Sequence, residues 1–215
     1  YQQFFPEAEA GCRPQKQLYQ MHIAEPYKSI LEANIGMVKS NRDIKPFIGK
    51  CFSDLFSRLG RLPFQSRAKK SGDMFEFLFH YLMENKFGIN FEHSIPIKEA
   101  CMLRSGKLDF GILNGKKIIC GIEAKGSAEI VDGRKLPRPA LKRTDTMKKA
   151  ISQAYQFKRI FPKVPFFIVT NVKPTRGNAA CMLNLAEGDI VDKVVDITNS
   201  SDLKYFVKTI NSLMQ

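Results

Sequence analysis

The charged side chains able to do chemistry cluster in residues 106–127, which read GKLDFGILNGKKIICGIEAKGS. Glu123 and Lys125 stand two apart at the end of an apolar run. On a β-strand, side chains two apart share a face. A lone charge among apolar neighbours is costly, so this acid and base must pair or bind something. Asp109 lies in an earlier apolar run, KLDFGIL, joined to the first around Asn114 and Gly115, a strong hairpin signal. Two carboxylates and the Ala124 backbone carbonyl offer hard oxygens of the kind Mg²⁺ takes. Lys125 beside them would activate a water or offset negative charge in a transition state. The plainer alternatives are a strand-end Glu123–Lys125 pair and a turn or capping role for Asp109.

This chemistry restricts the hairpin. A two-residue turn on Asn114 and Gly115 pairs Leu113 with Lys116 and sets Asp109 opposite Cys120, pointing away from Glu123. A three-residue loop over residues 114–116 sets Asp109 opposite Gly121, diagonal to Glu123 and on its face. A bulge would restore the same face, and Gly111, Gly115 and Gly121 permit one. An odd loop or a bulge is therefore required. Gly121 is also expected to clear space beside the cation.

The surrounding elements follow from periodicity. Tyr27, Ile30, Leu31, Asn34 and Val38 share a helical face ending near Ser40. A stronger apolar stripe runs through 46–59, stopped by Gly60. A basic stretch, RLGRLPFQSRAKKSGD, reads as a solvated linker or a phosphate-contacting loop. The next helix is expected from Asp73 to Phe87, with Asp73 and Glu76 spaced as a capping box. INFEHSIPI reads as a strand, residues 131–145 as a basic loop, and about 146–161 as a helix. VPFFIVTNV reads as a strand covered on both faces. The loop KPTRGN, a short helix, the strand KVVDIT and a helix from Asp202 complete the chain. This order implies an α/β fold: a three-layer core with a mixed central sheet flanked by helices, plus a helical N-terminal region. Residues 1–70 are assigned to that region and 71–215 to the core. Residues 1–16 look loose.

The chain has 215 residues, with 34 Lys and Arg against 21 Asp and Glu, a formal charge of +13. Such an excess attracts polyanions, nucleic acid foremost. Mean hydropathy is −0.23, and no apolar run approaches the roughly 18 residues of a membrane span, so no membrane association is expected. Cys12, Cys51, Cys101, Cys120 and Cys181 are far apart and form no C-x-x-C. They read as buried small hydrophobes in a reducing cytosol. With no apolar leader after the first residue, a cytoplasmic location is expected.

Leu108-Asp109 followed by Glu123-Ala124-Lys125 resembles the PD-(D/E)XK nuclease superfamily, with Leu108 where the family has proline. The resemblance covers roughly residues 71–172. It implies a restriction-endonuclease-like core in which Asp109, Glu123 and the Ala124 carbonyl hold one or two Mg²⁺ ions per site. Lys125 would assist the attacking water. Glu76 is the best match to the acid that a preceding helix contributes; Glu84 and Glu92 match less well. Small size and basic loops resemble a type II restriction endonuclease. That implies a homodimer cutting double-stranded DNA at a short palindrome, with 5′-phosphate and 3′-hydroxyl products and no small-molecule cofactor. DNA contacts would come from Arg67, Lys69, Lys70, Arg134, Lys135, Arg138, Lys142, Arg143, Lys173 and Arg176. The alternatives are a structure-selective repair endonuclease or junction resolvase, and a non-catalytic basic DNA-binding domain.

Overall fold

A computed structural model describes residues 20–60, 63–131 and 133–215. The loose stretch 1–16, Cys12, Arg61 and Asp132 lie outside the described residues.

The apolar stripes become helices where expected. Helix α1 spans Tyr27–Asn34 and runs on into a 3₁₀ turn, Ile35–Met37. Helix α2 spans Ile44–Leu59 and ends at Gly60, whose φ of +63° an L side chain rarely adopts. Helix α3 differs from expectation: it spans Phe64–Phe87 and takes in most of the basic stretch read as a linker. Asp73 is therefore mid-helix, and no capping box forms there. Apart from Gly72, the residues over 64–72 tolerate a helix well, and packing of the following apolar turns extends it backwards. The boundary assigned at residue 70 falls inside this helix.

The strands are β1 (Glu92–Ile95), β2 (Leu108–Asn114), β3 (Lys117–Ala124), a two-stranded ribbon of β4 (Ile130–Val131) and β5 (Arg134–Lys135), then β6 (Phe166–Thr170) and β7 (Lys193–Asp196). The remaining helices are α4 (Thr144–Ile160), α5 (Gly177–Ala186) and α6 (Ser200–Met214). Five strands form a mixed sheet in the order β1-β2-β3-β6-β7. The first three pair antiparallel, whereas β3-β6 and β6-β7 are parallel. The fold is thus α/β, with six α-helices among the described residues.

Two apolar clusters sandwich the sheet. On one face Phe110, Ile122, Phe167 and Val169 pack with side chains of α1, α2, α3 and α6. On the other, Leu108, Phe166 and Ile168 pack with α4 and α5. Among the described residues, the N-terminal helices share the first cluster. Every residue of β6 is buried, as its unbroken apolar run requires of a central strand.

The β2–β3 hairpin contains the required irregularity. Its turn residues are Gly115 and Lys116, with Asn114 opposite Lys117 and Leu113 opposite Ile118. The register then shifts, so that Ile112 opposes Cys120 and Phe110 opposes Ile122. Ile119 is the additional residue. The bulge reverses the alternation: Ile118 packs in the α4 layer, Cys120 and Ile122 in the α3 layer. Continued by one residue, the register sets Asp109 opposite Glu123, not Gly121.

The cysteines divide. Cys51 and Cys120 are buried, while Cys101 and Cys181 are exposed, correcting the expectation for those two. Cys101 sits in a tight turn with φ +56°, and Cys181 lies on the outer side of α5. No helix among the described residues is long and apolar enough to cross a membrane.

Candidate active site

Antiparallel pairing brings the start of β2 beside the end of β3, so Asp109, Glu123 and Lys125 meet at one end of the sheet. Asp109 Oδ2 accepts hydrogen bonds from the Ala124 amide at 2.9 Å and from Lys125 Nζ at 3.0 Å. Lys125 Nζ also donates to the Ala124 carbonyl at 3.1 Å and contacts Glu123 Oε1. Three oxygens, from Asp109, Glu123 and Ala124, thus surround one cation, which is the chain's own ammonium.

Glu123 is 0% exposed, and its Oε2 has no hydrogen-bond partner among the described residues. Burial raises its carboxyl well above the usual glutamate range, and the adjacent Asp109 carboxylate pushes the same way, against the pull of Lys125. For Lys125, burial favours the neutral amine. The two carboxylates outweigh it and raise the ammonium above its ordinary value. Both carboxylates thus hold the ammonium charged, while burial opposes the ionisation of Glu123.

Glu76 approaches from α3. Its carboxyl is raised by burial and by Asp109, while contact with His93 and the charge of Lys125 oppose the shift. His93 Nε2 lies 3.7 Å from Glu76 Oε2. The helix comes this close because residue 126 is glycine. A Cβ there would meet the Phe75 ring at 2.0 Å, so the chain beyond Lys125 lies flat against the residue before Glu76. Gly121 does something other than expected: its missing Cβ makes room for Phe157 and Phe166, at 2.8 and 2.9 Å, and not for a cation.

The segment beyond Lys125 is fixed by residues that the sequence did not single out. The buried Asn171 side chain accepts from the Ser127 amide at 3.1 Å and donates to the Ser127 carbonyl at 2.9 Å. Ser127 Oγ in turn accepts from the Ala140 amide at 2.8 Å. This anchors the arm 136–143 beside the carboxylates.

A cleft of about 900 Å³ opens over the cluster, lined by Glu76, Ala124, Lys125 and Gly126. Of the expected DNA contacts, Arg67, Lys69, Arg138 and Arg143 line it, joined by Lys149 of α4. Arg143 pairs with Asp145 there at 2.8 Å. Others lie elsewhere. Lys70 stacks over the Tyr27 ring at 5.7 Å. Arg134 and Lys135 are exposed on β5, Arg176 is exposed before α5, and Lys142 is half-buried; none of these lines the cleft. Lys173 is committed to the fold: its Nζ donates to the Val194 carbonyl at 2.9 Å and to Glu187 at 3.3 Å. Glu187 and Asp202 accept from the outward amides of Val194 and Asp196. These side chains blunt β7, the sheet edge. Glu84 lies by His80, 3.9 Å away. A second hollow, about 790 Å³ between α2 and the ribbon, holds none of the three charged residues.

The donor set suits a hard divalent cation. Two carboxylates and a carbonyl converge, and Glu123 Oε2 is an orphaned buried oxygen. No group of three or more His, Cys, Asp or Glu side chains forms a metal centre among the described residues. The third protein oxygen here belongs to the backbone of Ala124.

Comparison with family models, curated proteins and solved structures finds no match. The functional reading therefore stands on the geometry of the site.

Proposed function

We propose that this protein is a divalent-metal-dependent DNA endonuclease of the PD-(D/E)XK kind, its three-layer core being that family's. In this reading it works as a type II restriction enzyme, a homodimer cutting a short palindrome in duplex DNA. The carrying observation is the convergence of Asp109, Glu123 and the Ala124 carbonyl on Lys125, with Ala124 and Lys125 lining a basic cleft. A structural ion pair needs neither an orphaned buried carboxylate oxygen nor a basic cleft above it.

Asp109, Glu123 and the Ala124 carbonyl would hold Mg²⁺. When bound, the ion supplies Lewis acidity toward a phosphate oxygen and a water acidified for attack. Lys125 places positive charge where negative charge grows on the scissile phosphate. Glu76, on the opposite wall, orients the attacking water. Lys69, Arg138 and Lys149 hold the flanking backbone by charge, which positions DNA without reading sequence. Water adds to phosphorus, the bond to the 3′ oxygen breaks, and a 5′-phosphate and a 3′-hydroxyl result.

The test is digestion of a fully sequenced plasmid with Mg²⁺ and mapping of the ends, alongside Asp109→Ala and Lys125→Ala. Discrete ends from the wild type and none from either variant are expected. Full cutting by both variants overturns the site. Preference for branched over linear DNA moves the reading to a resolvase, and no cutting of any DNA leaves a binding module.

A further inference from the structure

Asp109, Glu123 and Lys125 are fixed by the ladder of the sheet, but Glu76 is not. It reaches the cleft from a helix on a long side chain, and its position relative to Asp109 needs another cause. His93 supplies one. Its Nε2 lies 3.7 Å from Glu76 Oε2 and 3.4 Å from Ser94 Oγ. Its ring rests on Phe110, with centroids 5.3 Å apart, and its backbone pairs with Phe110 across β1 and β2. Ser94, next in the chain, has φ +55° and turns the backbone there. Phe110 directly follows Asp109. The strand that carries the carboxylate on one side thus carries on the other the platform that seats the histidine. One rigid strand therefore spaces Asp109 from Glu76, through Phe110 and His93.

We propose that His93 is a positioning residue for Glu76 in DNA cleavage, a role that rests on the nuclease reading above. The imidazole holds the Glu76 carboxylate turned toward the Asp109–Lys125 pair and does not itself touch DNA. A lone histidine on a short strand gives no sequence signal of this.

The test compares nicking kinetics of the wild type, His93→Leu, His93→Gln, Glu76→Gln and the His93→Leu/Glu76→Gln double variant. Thermal midpoints and ring-nitrogen NMR shifts of His93 are recorded without DNA. His93→Leu is expected to lower kcat by about 10- to 100-fold, with KM and midpoint near wild type. His93→Gln, which keeps a donor at the Nε2 position, restores most of the loss. In the Glu76→Gln background His93→Leu costs nothing further, because the two act as one unit. The His93 shifts move when Glu76 becomes glutamine. Wild-type kcat in His93→Leu, or a full additive loss in the double variant, overturns the positioning role and leaves the nuclease reading standing. A wild type that cuts no DNA overturns both.

Discussion

Asp109 Oδ2 lies 3.0 Å from Lys125 Nζ, across 16 positions of the chain. The same nitrogen touches Glu123 and the Ala124 carbonyl. The free protein therefore holds its own ammonium where these oxygens converge, and a divalent cation must share or displace it.

Lys125→Met should abolish cutting, by at least the ~10²–10³-fold cost of losing one transition-state donor, while tightening Mn²⁺ binding measured by calorimetry. Without metal, the variant should lose about 3–5 kcal/mol, because it breaks a buried pair. Mn²⁺ should raise its thermal midpoint more than that of the wild type. Unchanged Mn²⁺ affinity would show that the ammonium does not occupy the cation's place.

Stability should fall as pH rises through the window above the ordinary glutamate value of 4.5. There the folded protein retains the Glu123 proton that the unfolded chain has released, so the folded state binds more protons and loses stability with rising pH. Glu76, raised in the same direction, adds to this slope. Glu123→Gln should flatten it in urea titrations carried upward from pH 4.5. Because the cation needs the carboxylate, Mn²⁺ affinity should climb over the same range in the wild type. A stability profile that rises with pH across this window would contradict a raised Glu123 carboxyl.

Gly126→Ala should destabilise the protein by about 1–3 kcal/mol through overpacking, since the new methyl would lie 2.0 Å from Phe75 Cγ. Cutting should fall further than stability alone explains, because α3 must move and carries Glu76 with it. Phe75→Leu in that background should recover part of the thermal midpoint. Full activity in Gly126→Ala would show that the α3 contact does not set the site.

Charge removal at Lys69, Arg138 or Lys149 should weaken DNA binding and lower the salt slope by about one per residue, measured by anisotropy at several salt concentrations. Lys173→Ala should leave that slope unchanged. It should instead lower the thermal midpoint and promote self-association, since it strips a blocking contact from β7. A salt slope that drops with Lys173 would place that residue on DNA after all.

The sequence alone determined the helical stripes of α1, α2 and α6, the buried strand β6 and the hairpin. It also determined that the charges of Asp109, Glu123 and Lys125 sit in apolar strands, because periodicity and apolar runs are local properties that packing reinforces. Even the bulge was required in advance, as the only way besides an odd loop to bring Asp109 to the face of Glu123. Tertiary structure decided the rest. It extended α3 back through the basic stretch, since propensity there is permissive and distant packing chose the helix. It sent Lys173 to a sheet edge and Lys69 to the cleft, a division invisible in sequence because lysines look alike until a fold gives them partners. It also brought His93 from β1 and Asn171 from just beyond β6 to the site, because contacts between residues far apart in sequence leave no local pattern to read.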